Sequence, residues 1–259
     1  MQVIILCGGL GTRLREETEF RPKPLVEIGG RPILWHIMKI YAHHGLREFV
    51  LCLGYRGQMI KEYFLNYEAM NNDFTIRLGR QNQLIYHDEH KEQDFNVTLA
   101  DTGTDTMTGG RVKRIERYLR DDQTCLVTYG DGVADLDVRA TLDFHRAHKR
   151  LATVTTVHPV SRFGMLETDK EGAVREFVEK PQLQGWSSAG FFIFDRRVFD
   201  YLNGDDCILE REPLERLARE GQLMAYHHPG FFYAMDTYRE YEYLNSLWET
   251  GKAPWKIWE

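Results

Sequence analysis

The sequence predicts an α/β protein with a doubly wound, mixed but mainly parallel sheet flanked by helices, and with extra antiparallel strands in its second half. Three observations carry this expectation. Short continuous apolar runs alternate with segments of helical period over residues 1–150, and a glycine-rich turn follows the first apolar run at once. After about residue 151 the alternation gives way to closely spaced strand-like runs joined by short turns. Alternation selects a parallel sheet because parallel neighbours need a crossover, usually a helix, whereas short turns join antiparallel ones.

Taken in order, "QVIILC" is an apolar run of the kind buried on both faces of a sheet, and glycine ends it. "PILWHIMKIYAHHG" places Ile33, Leu34, Ile37, Ile40 and Tyr41 at helical spacing, with proline before and Gly45 after. "EFVLCLG" reads as a strand and "GQMIKEYFLNY" as a helix. "RVKRIERYL" is a helix introduced by Thr108-Gly109-Gly110, "TCLVTYG" a strand, and "VRATLDFHRAHKR" a helix. In the second half "ATVTTVH", "GMLETD", "AVREFVEK" and "GFFIFD" are strands, with Asp169 to Gly172 as a hairpin turn, so antiparallel pairs are expected to join the sheet. "EREPLERLAREGQ" and "YREYEYLNSLWETG" close the chain as amphipathic helices. No repeat, low-complexity tract or Gly/Ser linker interrupts it, and it reads as one continuous domain over 1–259.

Composition narrows the function. A chain of 259 residues with 42% hydrophobic and 28% charged residues has the make-up of an ordinary globular protein. Its 33 basic and 39 acidic side chains give a formal net charge of −6, which argues against a nucleic-acid-binding surface. The four cysteines form no C-x-x-C pair, and Cys7, Cys52 and Cys125 lie in apolar strand-like runs, as small buried hydrophobes do. A reducing cytoplasm fits them best. The N-terminus reads as neither a signal peptide nor a membrane span.

The glycine turn, "LCGGLGTRLREETEFRPKP", invites comparison with two phosphate loops. The dinucleotide fingerprint needs a third glycine three residues after Gly11, where this chain has Leu14, and the P-loop needs Lys-Ser or Lys-Thr, where it has Thr12-Arg13. What remains is a loop whose N–H groups can converge on an anion, an arginine with planar donors, and Lys23 held between two prolines. The competing reading is a strand-to-helix turn whose glycines only permit close packing. Three further features share this ambiguity. Asp131, in "TYGDGVADLD", stands at the end of an apolar strand, where open α/β sheets bind ligands and where one carboxylate suits Mg²⁺; turn formation explains it equally well. Asp236, in "FFYAMDTYREY", is either a second carboxylate or a helix N-cap. Glu179 and Lys180, in "REFVEKPQ", suit sugar hydroxyls and a phosphate, or a surface ion pair.

In that order, "LCGGLGTRL…RPKP", "YGDG", "EKP" and "MDT" resemble the sugar-1-phosphate nucleotidyltransferases. "VEIGGRPILWHIMKIY", "NVTLADTG", "MTGGRVKRI", "TYGDGVADLD" and the final "GKAPWKIWE" resemble most the branch that uses CTP and glucose 1-phosphate, over essentially the whole chain. The resemblance implies a Rossmann-like nucleotidyltransferase fold, with a nucleotide-binding part at about 1–150 and a sugar-binding and C-terminal part at about 151–259. It implies that Leu6, Cys7, Gly8, Gly9, Leu10, Gly11, Thr12 and Arg13 hold the nucleotide and that Lys23 contacts phosphate. Thr106 and Arg111 would then line the CTP site, with Gly130 approaching the nucleotide and Asp131 and Asp236 binding Mg²⁺. Glu179, Lys180 and Gly190 would belong to the sugar side. The glutamine-proline segment usual in uridylyl and thymidylyl relatives is missing, which favours cytosine. Ser188-Ala189-Gly190 stands where the branch tends to read Asn-Gly-Gly, so the hexose is less securely implied than the nucleotide.

The chemistry follows from charge. A sugar 1-phosphate loses its second proton with a pKa of about 6, so at neutral pH its oxygen is already a nucleophile and no general base is required. The obstacle is repulsion from the triphosphate: each like pair at about 4 Å contributes roughly 4 kcal/mol at an effective dielectric of 20. Neutralisation and alignment should therefore dominate. The expectation is in-line attack on the α-phosphorus, with Mg²⁺ on Asp131 and Asp236, Lys180 on the sugar phosphate, and Arg13 and Lys23 on the leaving pyrophosphate. Three rivals stand beside it: a uridylyl- or thymidylyltransferase acting on another hexose 1-phosphate, a glycosyltransferase using the D-x-D spacing of Asp135-Leu136-Asp137, and a catalytically silent nucleotide sensor. "HDEH" at 87–90 reads as a solvated loop and His145 and His148 as surface residues. Trp248, Trp255 and Trp258 either pack internally or cover a subunit contact, which with the family habit points to a homo-oligomer.

Overall fold

The computed structural model describes residues 1–11, 13–79, 83–87, 90, 92, 94–120, 123–161 and 163–259, less the side chains of Arg15 and Glu16. Its centre is a seven-stranded sheet: β1 (Gln2–Cys7), β2 (Glu48–Leu53), β3 (Asn96–Asp101), β4 (Thr124–Tyr129), β5 (Ala152–Val157), β6 (Ser187–Asp195) and β7 (Leu223–His227), in the spatial order β7-β5-β6-β4-β1-β2-β3. Strand β1 runs parallel to β2 and β4, β2 parallel to β3, and β5 parallel to β7. Only β6 is antiparallel to its neighbours, β4 and β5.

The sheet is wound on both faces, as the all-apolar runs require. Val3, Ile5 and Cys7 of β1 join a core with Leu34, Ile37 and Tyr41 of the helix Ile33–His43. Ile4 and Leu6 face the other way, into a core with Val112 of the helix Thr108–Arg114, Phe199 and Leu217. The helix Thr108–Arg114 takes both of its glycines into the first turn. A Cβ at Gly109 would come 2.5 Å from Cys207 Sγ, and one at Gly110 would come 2.8 Å from the Asp205 carbonyl oxygen. These glycines therefore permit close seating of the 205–209 segment.

Two expectations need correction. Met165–Thr168 and Val174–Val178 pair with each other through the expected Asp169–Gly172 turn, but form a separate two-stranded ribbon outside the central sheet. All nine of their residues are exposed, so no core face draws them to the sheet. His145 is buried, not superficial: its Nδ1 lies 2.8 Å from Thr153 Oγ1 of β5, and desolvation first, then His148, lowers its pKa to about 4. The tryptophans pack within the chain. Trp255 is fully buried and donates to His36 Nδ1 at 3.3 Å, while Trp248 and Trp258 crowd the same imidazole.

Candidate functional site

The sheet places the glycine turn and Asp131 side by side. Strands β1 and β4 are in register, with Leu6 opposite Tyr129, and Gly130 N–H donates to the Leu6 carbonyl at 3.0 Å. Both chains leave the sheet here at the carboxyl ends of adjacent parallel strands, the usual ligand crevice of an open α/β sheet. A cleft of about 540 Å³ opens at this point. It is lined by Leu6, Cys7, Gly8, Gly9, Leu10 and Gly11, by Lys23 and Pro24, by Thr104 through Thr108, by Arg111, and by Tyr129, Gly130 and Asp131. Among the described residues, none beyond its own chain neighbours comes within 4 Å of where a Cβ on Gly9 would stand, which leaves its backbone open to an incoming group. Thr12 lies outside the described residues.

A second ladder delivers Asp236. Beyond β4, Gly132–Ala134 pairs antiparallel with Phe232–Ala234, and Met235 N–H donates to the Asp131 carbonyl at 2.9 Å. Asp236, 105 positions further along the chain, thus arrives beside Asp131 (the separation is read from their numbers). It is not the cap of the following helix. Thr237 is, and the Glu240 carboxylate accepts from the Asp236 and Thr237 N–H groups at 2.8 and 2.7 Å. The Asp236 side chain is directed elsewhere.

Both carboxylates meet on Lys23. Its Nζ donates to Asp131 Oδ2 at 2.6 Å and to Asp236 Oδ1 at 2.7 Å. The flanking prolines fix the geometry: Pro22 is extended, Lys23–Leu25 form one tight turn closed by Leu25 N–H to the Pro22 carbonyl at 2.8 Å, and Pro24 is buried. Burial alone would pull the ammonium pKa down, but attraction and hydrogen bonding from Asp131 and Asp236 outweigh it and leave the pKa raised. Arg13 stands at the rim, 71% exposed, with Nη1 3.7 Å from Asp236 Oδ2.

Arg111 lines the cleft but is committed to its walls. Its guanidinium donates to the carbonyls of Leu53, Gly103, Gly8 and Thr104 and to Thr102 Oγ1, at 2.7–3.1 Å. It thereby ties the ends of β1, β2 and β3 together. Gly8 and Gly54 are glycines because a Cβ at either would overlap that guanidinium.

The sugar-side expectations land differently. Lys180 Nζ pairs with Glu179 Oε1 at 3.2 Å, and neither residue lines the cleft. Gly190 lies behind the cleft wall: at φ +75° it leaves the room that the Tyr129 ring fills. Reading by residue type missed Tyr129 and Thr108, whose neutral side chains carry no motif of their own.

The rival sites dissolve. Asp135 Oδ1 accepts from Phe231 N–H at 2.7 Å and lies 2.9 Å from His228 Nε2, while Asp137 caps the helix Val138–His148 through Ala140 N–H at 3.0 Å. Both members of the D-x-D pair thus serve the fold. In "HDEH", His87 meets Thr75 and His90 meets Glu68, so the two imidazoles do not converge; Asp88 and Glu89 lie outside the described residues. Among the described residues no group of three or more His, Cys, Asp and Glu side chains could hold a metal. The donor set that does converge is Asp131 and Asp236, with an ammonium between them marking the point where a cation sits. Two carboxylates suit a hard divalent ion that completes its shell with phosphate oxygens and water.

A glycine turn, a lysine and two carboxylates at the ends of parallel strands suit the chemistry of phosphorylated nucleotides, and comparison gives the class: the nucleotidyl transferase family model matches residues 2–233, and the chain belongs to that family. Among its relatives, glucose-1-phosphate cytidylyltransferase of Salmonella typhimurium is 52% identical over the full length of both chains. Probable glucose-1-phosphate cytidylyltransferase of Bacillus subtilis is 44% identical, again over the full length of both. The crystal structure of HddC from Yersinia pseudotuberculosis matches with a TM-score of 0.70 at 22% identity, covering 95% of this chain and 99% of that one, a likeness of fold. Enzymes of this family generally use a divalent metal. Among the described residues no helix is long and apolar enough to cross a membrane.

Proposed function

We propose that this enzyme transfers the cytidylyl group of CTP to α-D-glucose 1-phosphate, forming CDP-glucose and pyrophosphate. The observation that carries the reading is the single cleft in which the glycine turn, Lys23 and Asp131 meet, in a chain 52% identical to a named glucose-1-phosphate cytidylyltransferase. The open backbone at Gly9 supports close approach of the triphosphate to the loop. Lys23 and Arg13, the cations beside Asp131 and Asp236, are suited to balance charge on the leaving pyrophosphate. We assign Asp131 and Asp236 to Mg²⁺, which when bound would offset phosphate charge. Glu179 and Lys180 directly follow the exposed ribbon strand Val174–Val178 and lie outside the cleft lining, and in our reading they serve the sugar phosphate.

Several companion readings belong here. We read residues 1–259 as one domain, because one sheet draws strands from both halves. Four free cysteines, three of them buried, support a cytoplasmic setting. Exposed apolar side chains on the ribbon Met165–Thr168/Val174–Val178 and on a second two-stranded ribbon, Phe74–Ile76/Leu84–Tyr86, among them Leu166, Phe177 and Ile85, support a homo-oligomer, a role the tryptophans no longer need to fill.

The test is a pyrophosphate-release assay with four nucleoside triphosphates and several sugar 1-phosphates. CTP with glucose 1-phosphate should be turned over fastest. Equal rates with CTP, UTP and dTTP would remove the cytidine assignment, and a faster hexose would replace glucose.

A further inference from the structure

We infer that Glu210 is a positioning residue for the nucleotide cleft, latching Tyr129 and Thr108 together across one of its walls. The inference rests on the nucleotide-binding reading of that cleft and extends it to a residue outside its lining.

Two hydroxyls from different elements end on the two oxygens of one carboxylate. Thr108 Oγ1 donates to Glu210 Oε2 at 2.7 Å, and the Tyr129 hydroxyl donates to Glu210 Oε1. Tyr129 ends β4 and is followed directly by Gly130 and Asp131, while Thr108 opens the helix that carries Arg111 and lies two residues beyond Thr106. The carboxylate therefore links the strand end bearing Asp131 to the opposite lining segment.

Neither hydroxyl is idle. Thr108 Oγ1 accepts from Leu209 N–H at 2.9 Å, so a lone pair is occupied and its single proton is directed to Glu210. The Tyr129 ring is held from behind by Gly190, where any Cβ would overlap it, and from the side by Phe192 in an edge-on contact at 6.1 Å. Gly190, an expected sugar residue, makes space for this ring. Glu210 itself is exposed, so the latch lies at the cleft and not in either core.

Kinetics and binding of Glu210→Ala, Tyr129→Phe and the double variant test this. Losing the latch should raise the KM for CTP and its calorimetric Kd about tenfold, the scale of one charge-assisted hydrogen bond, with the KM for the sugar phosphate little changed. Tyr129→Phe should add almost nothing in the Glu210→Ala background, because the two share one interaction. Glu210→Gln, which keeps one acceptor, should fall between wild type and Glu210→Ala, and it carries the test should the alanine variant fold poorly. An unchanged KM for CTP, equal rises for both substrates, or losses that multiply in the double variant would overturn the latch. Calorimetry on the wild type with CTP, UTP, dTTP and GTP separates the two claims. If another nucleotide binds best, the cytidine reading fails while the latch is tested with that nucleotide.

Discussion

Replacing Lys23 by methionine removes the ammonium that lies between Asp131 and Asp236. Its two contacts, 2.6 and 2.7 Å, put the nearest carboxylate oxygens no more than about 5 Å apart. At an effective dielectric of 20 a spacing of about 5 Å corresponds to roughly 3 kcal/mol of repulsion, which solvent and the nearby Arg13 lower, each carboxylate being more than a quarter exposed. The variant should therefore lose about 1–2 kcal/mol of stability by denaturant titration, and its turnover should drop by orders of magnitude. Binding of a divalent ion without nucleotide should move the other way. Two carboxylates freed of their resident cation should bind Mn²⁺, followed by electron paramagnetic resonance, more tightly than the wild type does. Unchanged or weaker Mn²⁺ binding would show that the carboxylates do not converge on a common cation position, and the metal assignment of Asp131 and Asp236 would fall with it.

Arg111→Met should be among the most destabilising single changes at the site, at about 3 kcal/mol or more, since it strands the carbonyls of Leu53, Gly103, Gly8 and Thr104; a melting temperature near wild type would refute the strut. Asp135→Asn should keep pyrophosphate release within a few-fold of wild type, because Asp135 holds the loop at Phe231; abolished turnover in a folded variant would reopen the D-x-D reading. Stability should also fall in acid through His36. Burial lowers its folded pKa to about 4 against an ordinary 6.5, so the unfolded chain takes up a proton first. Its contribution is complete above about pH 6.5 and is lost as pH falls towards 4, by about 3 kcal/mol in all. An imidazole NMR titration showing His36 half-protonated near pH 6.5 in the folded state would contradict this.

The parts of the fold legible in the sequence are those whose side chains face one environment. Strands β1, β2 and β4 are nearly wholly buried, and their unbroken apolar runs announced them. Strands β3 and β7 lie at the two edges, part exposed; polar residues interrupt "NVTLAD", and the apolar stretch of "LMAYH", Leu223–Tyr226, was not read as a strand. The same logic governs the site. Lys23, Asp131 and Asp236 could be found because a charge held at a strand end or between prolines is costly without a purpose. Glu210 was invisible because its meaning depends on two partners, 81 and 102 residues away, brought to it by topology. Arg111 lines the same cleft as the glycine turn, but its commitment to five acceptors follows from how three strand ends come together.

The charges present also say what the cleft still lacks. Arg111 is spent on carbonyls and a hydroxyl, and Lys180 is paired with Glu179 away from the lining. Among the described side chains at the mouth, Lys23 and Arg13 face Asp131 and Asp236, two cations against two anions. Into this neutral cluster come a triphosphate and a sugar phosphate dianion, whose mutual repulsion is several kcal/mol for each close pair. Further positive charge must then arrive with the substrates. On the proposed assignment the pair of carboxylates would hold it, and Lys23 would then be free to turn to phosphate. On this account Lys23 serves as a cation held in reserve, and Asp131→Asn should both weaken divalent-ion binding and loosen Lys23. A variant that kept full turnover with Asp131 neutralised would show that the charge comes from elsewhere.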